Sequence, residues 1–125
     1  MRKRHQNTNS DILLQTIVNT MQEKKGKGIV SLNLKKINSA ITDYFVICHA
    51  TSRAQVDAIA QHILDEASVK CGQKAYNKEG FENAEWILID YIDVVVHVFL
   101  DLARNYYQLE ELWADAEKIV YNDED

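Results

Sequence analysis

Apolar side chains recur along this 125-residue chain with two different periods, and each period predicts its own element. Leu14, Ile17, Val18 and Met21 fall at i, i+3, i+4 and i+7, a single apolar stripe that predicts a helix over residues 11–25, with Gly26 and Gly28 as its stop. In "IVSLNL", Val30, Leu32 and Leu34 alternate with polar positions, which predicts a strand with one wet face near a sheet edge. "DYFVICHA", from Asp43, is apolar on both faces and predicts a more central strand. Ser52 with Gln55 three residues on fits a capping box. Val56, Ile59, Ala60, Ile63 and Ala67 then hold one helical face, and Gly72 ends it.

Residues 73–85 are polar and irregular, so "KEGFENAE" reads as a loop at the rim of the sheet, with Gly80 its most permissive point. Trp86–Tyr91 and Asp93–Leu100 are β-branched runs of strand length, and a tight reversal between them makes an antiparallel hairpin. In "LDLARNYYQLEELWADAEKIVY", Leu102, Tyr106, Leu109, Leu112 and Trp113 recur at roughly helical spacing. One helix or two short ones are expected there, packed against the hairpin. The predicted order is α, β, β, α, β, β, α, an α/β (α+β) single domain with a mixed sheet. It spans residues 11–120, between a flexible N-terminal tail (1–10) and an acidic C-terminal tail (121–125).

Composition narrows the class. A chain of this length buries roughly two thirds of its unfolded surface, enough for one core. With 46% apolar and 26% charged residues it has an ordinary globular balance, and no apolar run approaches the roughly 20 residues needed to span a bilayer. The start, "MRKRHQNTNSD", carries no signal-peptide pattern, so a cytoplasmic location is expected. Cys48 and Cys71 lack partners at metal-ligand spacing and read as buried or half-buried thiols.

Charge is unevenly divided: residues 1–78 hold 12 Lys/Arg against 6 Asp/Glu, a net +6, whereas residues 79–125 hold 2 against 13, a net −11. The acidic half would repel a phosphate backbone and attract a basic protein surface. Lys24, Lys25, Lys27, Lys35 and Lys36 read first as a solvated face, with a minor contact to ribosomal RNA as the alternative.

The hairpin raises the question of chemistry. Two-metal nucleotidyl transfer needs carboxylates aimed at the same metals, but Asp90 and Asp93, three apart, would point to opposite faces of an unbroken strand. No Gly-Ser pair and no phosphate-cradling glycine motif accompanies them. Neither an enzyme nor a metal, cofactor or small-molecule substrate site is expected. Paired aspartates at a reversal form turns by accepting local N–H bonds. Trp86 and Tyr91 beside them suit an anchored contact with a basic partner. His97, alone in its strand, reads as a core or rim histidine. Tyr106, Leu109, Leu112 and Trp113 read as core or dimer contacts.

"DYFVICHATS", a helix carrying "QVDAIA", then "EG", "WILIDYIDVVVHVF" and "YYQLEELWADA" resemble, in unbroken order over about residues 11–117, the ribosomal silencing factor family, also called Iojap-like or RsfS. That resemblance implies an α/β fold related to the nucleotidyltransferase core but without transferase activity. It implies binding to the large ribosomal subunit through ribosomal protein L-fourteen and a block on subunit joining that represses translation under nutrient limitation. It also implies a homodimer when free, and places Glu79, Trp86, Asp90, Tyr91, Asp93 and His97 on or beside the ribosomal contact. This chain departs from the family pattern at His49-Ala50, where a glycine-containing sequence is common, and at Ile92, where glycine is common. A β-branched residue at the turn implies strain there.

Overall fold

The computed structural model describes residues 3–123, with side chains from residue 9 onward. The elements run α1 (Lys3–Glu23), β1 (Lys27–Asn33), β2 (Tyr44–Ala50), α2 (Arg53–Cys71), β3 (Asn77–Glu79), β4 (Trp86–Asp90), β5 (Val94–Leu100), α3 (Asp101–Tyr107), α4 (Leu109–Leu112) and β6 (Glu117–Val120). The sheet order is β3-β4-β5-β2-β1-β6. Among the described residues only β2 and β5 pair in parallel, so the sheet is mixed as expected, and the doubly apolar β2 lies inside it. No helix among the described residues is long and apolar enough to cross a membrane.

Helices α1 and α2 cover one face. Leu13, Ile17, Val18 and Met21 meet Val56, Ile59, Ala60, Ile63 and Ala67 over Val46, Cys48, Val94, Val96 and Val98, one continuous core. Burying each aliphatic side chain there contributes about 1.5–3 kcal/mol. Ser52 caps α2 by accepting from Gln55 N at 3.2 Å, and the Gly72 N–H closes it on Ser68 O at 3.1 Å. The capping box is half made. The Gln55 amide reaches Lys24 O and Lys25 O, both at 3.4 Å, and so ties α2 to the end of α1.

Four expectations are corrected. Helix α1 starts at Lys3 rather than near residue 11: "KRHQNTNS" has no apolar stripe, so periodicity gave no signal. Ser10, inside the stretch set apart as a tail, is buried and bonds Asp93 Oδ2 at 3.3 Å. Strand β1 has no wet face among its described residues 29–32: β6 pairs along its outer edge, and Ser31, in register with Val46, stands on the helix-covered face, where its hydroxyl meets the Tyr121 hydroxyl at 3.0 Å. β6 lies where helix is expected, because its four residues, EKIV, are all exposed and show no alternation. The fourth is β3, an edge strand of three exposed residues within the expected loop.

The C-terminal residues are also tied down, through Tyr121 N to Ile29 O at 2.9 Å, Gln22 Nε2 to Asn122 O at 2.9 Å, and Gly28 N to Asp123 Oδ1 at 3.2 Å. Residues 124–125 of the expected acidic tail lie outside the described residues.

Candidate functional site

The second face of the sheet is only partly covered, and strand register decides what stands on it. Directly paired residues share a face. One cross-strand row therefore runs Asn77, Asp90, Val95, Phe45; the next runs Glu79, Leu88, His97, Ile47; and a third joins Trp86 to Phe99 and His49. Helices α3 and α4 and the residues after them lie over the inner end of this face, where Leu109 and Trp113 pack with Val30, Leu32, Leu34, Ile47 and Phe99. The outer end stays open. There Leu34, Ala40, Ile41, Phe45, Leu88, Asp90, Val95, His97 and Trp113 line a groove of about 400 Å³. Ile41, 98% exposed, and Ile92 extend its apolar rim.

Glu79, Trp86, Asp90 and His97 are thus brought onto one face. Trp86 is half-buried, tilted against Phe99 at 4.9 Å and Tyr107 at 4.8 Å between ring centroids. Its indole Nε1–H donates to His97 Nδ1 at 3.0 Å. Indole can only donate, so His97 Nδ1 carries no proton, and the neutral ring holds its proton on Nε2. Burial pushes the His97 pKa down to about 3. The imidazole is therefore uncharged across the physiological range.

The hairpin tip answers the question of the two aspartates. Asp90 Oδ1 accepts the Ile92 N–H at 2.7 Å, and Tyr91 N bonds Val94 O at 2.8 Å. Asp93 turns away, toward α1, where its Oδ2 accepts from Ser10, while its carbonyl accepts Asp43 N and Tyr44 N, each at 3.1 Å. The two carboxylates therefore do not converge, and among the described residues no group of three or more His, Cys, Asp or Glu is placed to hold a metal ion. Ile92 takes φ +76°, the glycine-type conformation that its β-branch disfavours. Thr42 Oγ1, donating to Ile92 O at 2.8 Å, helps hold it there.

Tyr91 is corrected as an exposed anchor. It is 6% exposed in the helix-covered core, and burial raises its hydroxyl pKa to about 12. Of the residues read as core or dimer contacts, Leu109 is buried and Trp113 half-buried, but Tyr106 and Leu112 are exposed rather than core.

Sequence reasoning passed over two features of this face. The inner cover is fastened by Arg104, whose Nη1 donates to Gly28 O at 2.7 Å and meets His49 Nδ1 at 2.9 Å, and whose Nε and Nη2 grip Glu110 at 3.2 and 2.9 Å. A guanidinium only donates, so His49 Nδ1 is an unprotonated acceptor. Burial and then the Arg104 charge lower the His49 pKa. The Glu110 carboxyl is raised by burial but held below its usual range by the Arg104 bond and charge. Gly28 makes room: at φ +59°, a Cβ there would lie 2.6 Å from Arg104 Nη1. No spacing rule links Arg104 to residue 28. The groove residues Phe45, Leu88 and Val95, by contrast, follow from period two once the pairing is known.

The model of the family described as "Ribosomal silencing factor during starvation" matches residues 6–125. A ribosomal silencing factor RsfS of Halalkalibacterium halodurans is 50% identical over 104 residues, covering 83% of this chain and 87% of that protein. Its Bacillus subtilis counterpart is 43% identical, covering 86% and 90%. A crystal structure of a protein from Chromobacterium violaceum superposes with a TM-score of 0.78 at 31% identity, covering 83% of this chain and 85% of that one. With most of its length matched in sequence and in fold, this chain belongs to the RsfS family of ribosomal silencing factors.

Proposed function

We propose that this protein docks on the large ribosomal subunit through the open end of its second sheet face, with ribosomal protein L-fourteen as its partner, and prevents subunit joining by occupying space. The observation that carries this reading is the composition of that face: an apolar groove beside Trp86, with Asp90 and Glu79 at its edge, in the half of the chain whose net charge is −11. Aromatic and aliphatic side chains supply contact area, while carboxylates at the rim orient a basic partner and speed its encounter. Glu79, Trp86, Asp90 and His97 are the contact residues in this reading, with Asp93 and Tyr91 fixing the hairpin behind them.

Occlusion needs no cofactor and no reaction. It acts in the cytoplasm, in proportion to the protein's concentration relative to ribosomes. In a sucrose-gradient spin the protein should travel with free large subunits and not with small ones, and Asp90→Asn, which keeps the acceptor for Ile92 N, together with Glu79→Lys should weaken that co-migration while the fold is kept. Wild-type protein left at the top of the gradient would refute the docking.

A second reading, self-association of the free protein, is favoured by the exposed Leu102, Tyr106, Leu112, Ile119 and Val120, which cluster in the C-terminal segment. Sedimentation equilibrium should show a mass that falls toward 14.4 kDa on dilution.

A further inference from the structure

His97 lines the groove, is 3% exposed, and has its Nδ1 taken by the Trp86 indole. Its Nε2–H has no acceptor among the described residues. A buried N–H left unmatched costs about 1–3 kcal/mol, a cost that vanishes when an acceptor arrives. Turning the ring over would put Cδ2–H in place of Nδ1 and surrender the Trp86 bond, and moving the proton to Nδ1 would set two donors against each other. The lining around it is mostly apolar, with Ser39, Thr42 and Asp90 as its other polar members and the Thr42 hydroxyl already donating to Ile92 O, and the volume of about 400 Å³ is of the size that takes one large side chain and the backbone beside it.

We propose that this groove receives an apolar side chain of a basic protein segment, and that a main-chain carbonyl of the same segment accepts the hydrogen bond from His97 Nε2–H. The inference rests on the docking reading above and names the chemistry the partner must present. Charge selects the segment: Asp90, whose Oδ1 is engaged by Ile92 N, keeps Oδ2 for a lysine or arginine beside the inserted side chain. A carbonyl is the acceptor that suits a neutral imidazole, because every chain offers one at each residue and it brings no second charge into an apolar groove. Nε2 is closed to solvent in the free protein. Engaging it requires the aromatic wall to part, Phe45 standing edge-on to the His97 ring at 4.6 Å and to Trp113 at 5.7 Å. Phe45 and Trp113 are both only half-buried, and Trp113 stands just past the short helix α4, so the opening needed falls between these two rings.

The test uses the whole chain labelled with 15N-histidine and purified ribosomal protein L-fourteen as the probe. The expected result is that the His97 Nε2 proton shifts downfield in the complex while Nδ1 stays an acceptor. His97→Leu should weaken binding about tenfold, the worth of one such hydrogen bond (about 1.4 kcal/mol), and His97→Gln, which can keep a donor near the Nε2 position, should lose markedly less. A complex that forms with the Nε2 proton unmoved overturns this inference and leaves the docking intact, as does equal affinity of the two variants. If the wild type does not bind L-fourteen at all, the docking reading falls and this inference with it. The spectrum of the unmutated protein decides the matter even if a variant fails to fold.

Discussion

Replacing Arg104 with methionine keeps the apolar stem and removes the planar fork that fastens α3 and α4 to β1 and β2. Four contacts go at once: Gly28 O at 2.7 Å, His49 Nδ1 at 2.9 Å, and Glu110 at 2.9 and 3.2 Å. Removing one partner of a fully buried ion pair costs about 3–5 kcal/mol. Arg104 is 11% exposed but Glu110 is 23% exposed, so the abandoned carboxylate recovers part of its hydration, and the expected loss falls to about 2–3 kcal/mol. Unfolding entropy of about 2.1 cal/mol/K per residue converts that into a drop in Tm of about 8–11 °C for a chain of this length. A thermal scan by near-ultraviolet circular dichroism at neutral pH reads it. The fluorescence of Trp86, which packs on Tyr107 of α3 at 4.8 Å, should change before the far-ultraviolet signal does. Arg104→Lys should recover less than half, since an ammonium cannot serve three differently placed acceptors from one fixed plane. A variant Arg104→Met melting within about 2 °C of wild type would refute the account of how the inner cover is held.

Gly80 takes φ +90°, and a Cβ there would lie 2.1 Å from the Trp86 carbonyl, so Gly80→Ala should destabilise by about 3 kcal/mol or more and release β3; the urea midpoint and faster amide exchange at Glu79 and Leu88 would show it. Tyr91→Phe removes a buried hydroxyl with no partner among the described residues and should leave stability unchanged or raise it by up to about 1 kcal/mol, as read by the same urea titration. Both His49 and His97 have lowered pKa values in the folded chain, so the unfolded chain binds protons more readily below 6.5. Stability should be flat above that pH and fall as pH drops toward 3, by up to about 1.4 kcal/mol per pH unit for His97, with His49 adding a smaller loss in the same direction and Glu110 its own loss below about 4.5. His97→Gln should remove part of that slope.

Legibility of the fold followed the strength of each local signal. The stripe of α2 was readable to the residue, because Val56, Ile59, Ala60, Ile63 and Ala67 obey one period and bury one face. The hairpin was equally plain, since two β-branched runs flank a single polar break. β3 and β6 were not, because three or four exposed residues at a sheet edge hold their place by pairing with a neighbour and carry no pattern of their own. The extension of α1 to Lys3 was hidden for the related reason that a polar helical end shows no stripe.

The candidate site was half legible. Glu79, Trp86, Asp90 and His97 lie on one face because register makes Glu79 face Leu88, and Leu88 face His97. Tyr91 defeated the reading because the turn inserts Ile92 at positive φ, and the chain enters that turn with Tyr91 directed into the helix-covered core. The strain expected at Ile92 is present. The Arg104 clamp joins residues 28, 49, 104 and 110, and nothing local in any of those stretches announces the others.

The central claim is occlusion by a docked face, and light scattering from mixed small and large ribosomal subunits tests it most directly. Added before the small subunit, the wild-type protein should lower the extent of joining in proportion to its excess over large subunits, and Asp90→Asn with Glu79→Lys should restore joining. Undiminished joining at a large excess of folded wild-type protein would contradict the account.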